Sequence, residues 1–253
     1  MRIVSYNILD GGLGRADPLA EVIEAQRPDL VGLVEADDEA VVRRIAHRLG
    51  MDWVWAAGNM HALAILSRHP IVETINHAPN QPKLSRGLLQ VGVRVGQTPV
   101  EIVLTHLHPY ATEADEDRRQ EELDLIFSLI DNRPAVQVLM GDFNSNSPIQ
   151  QIDPSLCKPS TRNAWDANGG LLPRRVIQSI LDHGFIDSLE AFDLASAQSA
   201  GTFSTQFPGQ RVDYIFLRGI ERHTIQSAWI EQDRLAKYAG DHFPVGVEII
   251  GLT

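Results

Sequence analysis

Residues able to do acid–base or metal chemistry stand beside apolar runs all along this sequence. Asn7 follows the run 3–6, Glu35 follows 30–34, His106 follows 102–105, Asp142 and Asn144 follow 136–141, and Asp241 with His242 precedes 245–250. A lone Asn or Asp after a strand is ordinarily a turn residue bonded to its own backbone. Here the pattern repeats, and in layered α/β folds the strand ends open onto a shared crevice where residues distant in sequence converge. Glu35 closes an apolar run, so its carboxylate is expected to be partly buried and then to need a cation. A hard divalent ion such as magnesium takes carboxylate and amide oxygens of this kind.

The segment Gly141-Asp142-Phe143-Asn144-Ser145 is the most specific of these. Positions two apart in an extended stretch share a face, so Asp142 and Asn144 are predicted to point together into a site while Phe143 points into the core. One of them then accepts a proton from water while the other donates to a phosphoryl oxygen. The glycine ahead of them permits close backbone approach. In Gly240-Asp241-His242-Phe243-Pro244 an acid and a base are neighbours. On extended chain they face opposite ways, Asp241 toward a metal and His242 toward a phosphate. A histidine used so needs an acceptor to fix its tautomer, and Asp213 is the candidate, with a salt bridge from Asp213 to Arg211 as the plainer alternative.

Apolar, β-branched runs at 3–6, 30–34, 62–66, 88–95, 100–104, 135–140, 212–217 and 245–250 are the predicted strands that must carry these residues. Helical spacing appears at Val41, Ile45 and Leu49, at Leu123, Ile126, Phe127 and Ile130, and over 173–182, where Pro173 suits a helix start and His183 with Gly184 an end. The acidic stretch 113–117 reads as a solvated helix start. Residues 146–170, rich in Ser, Pro, Asn and Asp, form the longest irregular segment and are placed at the substrate mouth. Two halves, each with strands and helices, suggest sheets packed face to face with helices outside.

With 253 residues, 43% hydrophobic and 22% charged, the chain has the composition of a soluble globular protein, and 1–253 is read as one domain. No apolar run approaches the roughly 18 residues that span a bilayer, and the cytoplasm is the expected location. A single cysteine, Cys157, excludes an internal disulfide or a thiolate metal cluster and reads as an ordinary loop residue. The net charge of −11 repels polyanions, so extended nucleic acid is disfavoured, although a bound cation and local arginines can dominate one cleft.

Taken in order, Ser5-Tyr6-Asn7, Glu35, Ser67-Arg68-His69-Pro70, Thr105-His106-Leu107, Gly141-Asp142-Phe143-Asn144, Arg211-Val212-Asp213-Tyr214 and Gly240-Asp241-His242 resemble the signature of the endonuclease/exonuclease/phosphatase superfamily, across residues 5–245. The resemblance implies an α/β fold, a four-layer sandwich of two mixed β-sheets packed face to face with helices outside. It implies a Mg2+ or Mn2+ requirement and hydrolysis of a phosphate ester, most simply a phosphodiester. Glu35 would be the principal metal ligand, with Asn7 and Asp241 direct or water-mediated ligands. Asp142 and Asn144 would orient water and phosphate, His242 paired with Asp213 would act as base or phosphate donor, and His106 would touch the phosphate from the other side. The base is left open between Asp142 and His242. Arg68 and Arg86, with Lys83 and Arg15, are candidates to bind an anionic substrate, and the protein is expected to work as a monomer.

Within that superfamily the alternatives are a nuclease on DNA or RNA and a phosphomonoesterase on inositol phosphates. Outside it stand two further readings. Thr105-His106-Leu107-His108 resembles the start of the metallo-β-lactamase zinc motif, but that motif needs Asp and His where this chain has Tyr110 and Ala111. A catalytically inactive binding module of the same fold would normally have lost a polar residue, and every expected position carries one.

Overall fold

The computed structural model describes residues 1–130 and 136–252. In chain order they form β1 (Arg2–Asn7), α1 (Ala16–Ala25), β2 (Leu30–Val34), α2 (Glu39–Leu49), β3 (Asp52–Ala56), β4 (Leu63–Ser67), β5 (Ile71–Asn76), β6 (Gly87–Val95), β7 (Thr98–His106) and α3 (Glu113–Ile130). There follow β8 (Val136–Asp142), α4 (Pro159–Ala167), α5 (Arg175–Asp182), β9 (Ile186–Asp187), α6 (Ser188–Phe192), α7 (Leu194–Ser199), β10 (Asp213–Arg218), β11 (Ile225–Ile230), α8 (Arg234–Ala239) and β12 (Val245–Ile249).

The strands make two six-stranded sheets, ordered β11-β12-β1-β2-β4-β3 and β5-β6-β7-β8-β10-β9. β1 runs parallel to β2, and β7 parallel to β8, while the remaining neighbours are antiparallel, so both sheets are mixed. Strands such as β2, Leu-Val-Gly-Leu-Val, are buried along their whole length because both faces are covered. Ile3, Leu30, Ile65 and Val247 of the first sheet meet Ile102, Leu104, Met140 and Ile215 of the second in the central core. Met140 reaches so far across that a Cβ added to Gly32 of the opposite sheet would lie 2.5 Å from its methyl. Outside, Tyr6, Val31 and Leu33 pack against α1, α2 and α8, and Val103, Leu139 and Phe216 against α3 and α5. The result is the expected four-layer sandwich.

Four strands were not predicted, β3, β5, β9 and β11, and each is a sheet edge. An edge strand needs little apolar surface; β5, Ile-Val-Glu-Thr-Ile-Asn, is exposed at its centre. The predicted strand 135–140 appears as Val136–Asp142, with Ala135 outside the described residues. Two other expectations need correction. Residues 146–170 include helix α4. The acidic stretch 113–117 is not simply solvated, because Glu116 is 1% exposed and bound to the equally buried Arg119 at 2.8 Å. Among the described residues no helix is long and apolar enough to cross a membrane.

Candidate active site

Asn7, the last residue of β1, is 1% exposed and stands between the sheets. Its Nδ2 donates to Glu35 Oε1 and to Asp142 Oδ2, both at 3.2 Å, tying a carboxylate of each sheet together. Its Oδ1 accepts from the Leu9 backbone at 3.1 Å. Glu35 lies just past β2 with φ of +55°, a conformation that costs a residue bearing a Cβ. The turn after β1 holds it there: Asp10 N donates to Glu35 Oε2 at 3.0 Å and Gly11 N to its backbone oxygen at 2.8 Å. Arg86 places Nη1 3.7 Å from Glu35 Oε1, and its Nε and Nη1 have no acceptor among the described residues, so this cation can still take an anion.

The second sheet supplies the facing wall. Register pairs His106 of β7 with Asp142 of β8, and Asp142 with Asp213 of β10. Asp142 Oδ2 lies 3.5 Å from His106 Nε2 and 3.8 Å from His242 Nε2. Asp142 Oδ1 accepts from Asn144 N at 3.0 Å, closing an Asx turn, and Asn144 adopts φ of +50°. The extended geometry predicted for this pair is therefore corrected, and the Asn144 amide also donates to Leu107 O at 3.1 Å. β8 can approach β7 this closely only because residue 141 is glycine: at its φ of +134°, a Cβ would fall 1.9 Å from Thr105 O.

His242 Nδ1 sits 2.8 Å from Asp213 Oδ2. Arg211, the alternative partner for Asp213, instead pairs with buried Asp187 at 2.7 Å. Burial alone would lower the His242 pKa, but the charge and hydrogen bond of Asp213, aided by Asp142 and Asp241, outweigh it and carry it up to about 10. Burial, then the Asp213 charge, pushes the Asp142 carboxyl upward. Burial, then Arg86, holds His106 neutral by lowering its pKa well below the ordinary imidazole range.

The donors suit a divalent cation. Oδ1 of Asp241 is buried with no hydrogen-bond partner among the described residues, and Glu35 stands at the end of β2 with its carboxylate toward Asn7 and Asp10. Glu35, Asp142, Asp213 and Asp241 face two local cations, Arg86 and protonated His242, which leaves an anionic excess that an oxygen-seeking metal would offset. As oriented, Asn7 presents its NH2 to the carboxylates of Glu35 and Asp142.

Not every sequence candidate arrives. Arg68 follows the β4 residue paired with Leu30, at the opposite end of the sheet from Glu35, and its Nε donates to Pro28 O. Arg15 binds the backbone oxygens of Leu9 and Ala239 and so ties the turn after β1 to the end of α8. His108 is held by Ser85 Oγ at 3.1 Å and Asp115 at 3.2 Å, apart from His106, which removes the zinc reading. A group the sequence reading missed, Asp10, Asp37 and His61, gathers beside Glu35, with His61 Nδ1 2.7 Å from Asp37. The rule that found Glu35, polar residues at strand ends, applies equally to Asp37 and His61.

Buried oxygen donors fit for a cation, facing an imidazole clamped by a carboxylate across two sheets, define a phosphoester-hydrolysing enzyme. The sequence pattern of the Endonuclease/Exonuclease/phosphatase family matches residues 4–242, and the chain belongs to that family. No curated protein matches it by sequence. Among solved structures, the 3' phosphatase NExo from Neisseria bound to product DNA hairpin is similar with a TM-score of 0.73 and 19% identity, covering 99% of this chain and 100% of that one. An AP endonuclease from Archaeoglobus fulgidus is similar at 0.72 and 18%, over 99% and 100% of the two chains. An endonuclease/exonuclease/phosphatase from Beutenbergia cavernae is similar at 0.70 and 20%, over 100% of this chain and 72% of that one.

Proposed function

We propose that the chain is a divalent-metal-dependent phosphodiesterase that cleaves its substrate by in-line attack of water. The observation that carries this is the position of Asp142 between two histidines, one of them, His242, clamped by Asp213 at 2.8 Å. Glu35 and Asp241 would hold Mg2+ or Mn2+, with Asn7 bracing Glu35. The ion, when bound, supplies positive charge that polarises phosphoryl oxygen and water.

Asp142, with its pKa raised, takes the proton of the attacking water. His242, protonated at neutral pH, donates to a phosphoryl oxygen, and Asn144 and neutral His106 line the same space. Arg86 meets the developing negative charge with its unpaired donors. The likeness to DNA-processing enzymes supports a second reading, a nuclease or a phosphomonoesterase, and the net charge of −11 weighs against long nucleic acid.

Purified protein stripped with chelator and then given Mg2+ or Mn2+ should regain turnover on a chromogenic phosphodiester. A panel of single- and double-stranded DNA, RNA, inositol phosphates and small diesters separates the two readings. Full turnover in excess chelator would sink the metal requirement.

A further inference from the structure

In the reaction proposed above, Asp142 takes the proton of water and His242 faces a phosphoryl oxygen, so the oxygen that departs still needs a proton. The first sheet carries, just ahead of β4, a second imidazole clamped by a carboxylate. His61 Nδ1 lies 2.7 Å from Asp37 Oδ2, while Asp37 Oδ1 accepts from Ala62 N at 2.7 Å. A carboxylate on one ring nitrogen fixes the orientation of the ring and reserves the other nitrogen for chemistry. No bond among the described residues occupies His61 Nε2, and the side chain keeps 18% exposure.

The loop that holds His61 is moored on both sides. Ala36 N donates to Ala62 O at 2.8 Å, which fixes the loop one residue past Glu35. Asn59 N donates to Arg86 O at 2.5 Å and its Nδ2 to Leu84 O at 2.7 Å, so the loop is joined to the segment that delivers Arg86. Gly58 permits this approach, since a Cβ there would lie 2.0 Å from His61 O and 2.4 Å from Arg86 O. The His61 ring stacks on His106 at 5.8 Å between centroids, and His106 Nε2 is 3.5 Å from Asp142 Oδ2. The series Asp142, His106, His61 therefore runs from one sheet to the other, with a carboxylate at one end and an imidazole at the other. After burial and Arg86, the charge of His61 is the next influence that lowers the His106 pKa, which keeps the middle member neutral.

We infer that His61, oriented by Asp37, is a further catalytic residue, the donor of the proton that the leaving oxygen takes. This rests on the phosphoesterase reading and deepens it. As the water oxygen bonds to phosphorus, the bond from phosphorus to the leaving oxygen breaks. Its electron pair goes to that oxygen, which takes the proton of His61 Nε2. The water proton passes to Asp142; Asp142 then yields it to solvent, and His61 regains one from solvent.

Two diesters that differ only in the leaving group test it, methyl para-nitrophenyl phosphate and methyl phenyl phosphate, with the whole protein in Mn2+. The nitrophenolate leaves unaided, whereas phenolate, with a pKa of ~10 like that of a tyrosine side chain, gains from a proton. His61→Gln should widen the ratio of kcat between the two esters by about tenfold or more, the loss falling on the phenyl ester, as removal of a general acid requires. Asp37→Asn should widen it in the same direction by less, and in neither variant should the metal concentration giving half-maximal turnover move. A ratio unchanged in His61→Gln, or a loss that added metal restores, overturns the proton-donor role and leaves the phosphoesterase reading intact. Turnover of neither ester by the unmodified protein overturns both.

Discussion

Asp142 and Asp213 stand opposite each other in the β8–β10 ladder, yet they treat the same imidazole differently. Asp213 grips His242 Nδ1 at 2.8 Å, and Asp142 waits 3.8 Å from Nε2. One carboxylate fixes the ring and its charge, which leaves the other nitrogen and the other carboxylate facing the space where a phosphate would sit.

Replacing Asp213 with Asn removes that partner, lowers the imidazole pKa and permits the wrong tautomer. Turnover should fall by about a hundredfold, roughly 2.7 kcal/mol of transition-state stabilisation. Metal affinity should change little, and His242→Ala combined with Asp213→Asn should be scarcely worse than either alone. Additive losses in steady-state kinetics would show that the two residues act independently.

The same pair makes stability depend on pH. The folded-state pKa of His242 is raised to about 10, above the ~6.5 of an unfolded chain. Its contribution is therefore complete below about pH 6.5 and is lost as pH climbs through about 10. In chelator, the gap in denaturation midpoint between the unmodified protein and His242→Gln should be widest in acid and narrow toward alkali. A gap that widens with rising pH contradicts the assignment.

Glu35→Gln keeps shape and loses charge. The metal concentration giving half-maximal turnover should rise by about tenfold or more, with the melting temperature little altered. Arg68→Ala serves as the control, since Arg68 lies at the far end of the sheet. It should leave turnover unchanged, and an effect as large as that of Glu35→Gln would relocate the site.

Gly141→Ala should destabilise the fold by about 3 kcal/mol or more, through a clash that no rotamer relieves. The added Cβ would sit 1.9 Å from the Thr105 oxygen, a backbone atom of the neighbouring strand. Chemical denaturation measures this, and a loss below about 1 kcal/mol would mean that β7 and β8 can part without cost.

The sequence made the central strands legible because they are apolar throughout, and with them the polar residues at their ends. Edge strands such as β5 escaped because half their surface faces water. Arg68 was misplaced because it belongs to a recognisable motif, and a motif does not say at which end of a strand it lies. Glu116 and Arg119 were hidden by their charge, although they stand seven positions before Leu123 and Ile126 and so prolong the buried stripe of α3.

Met140 pressed against Gly32 sets how close the two sheets lie, and each sheet owns half of the centre: Asn7 and Glu35 on one, His106, Asp142 and Asp213 on the other. Catalytic alignment is thus a vernier on sheet spacing. A small slip that the apolar core tolerates without melting still separates Asn7 from Asp142, so gentle heating or a trimmed Met140 should silence the enzyme while the sandwich remains assembled.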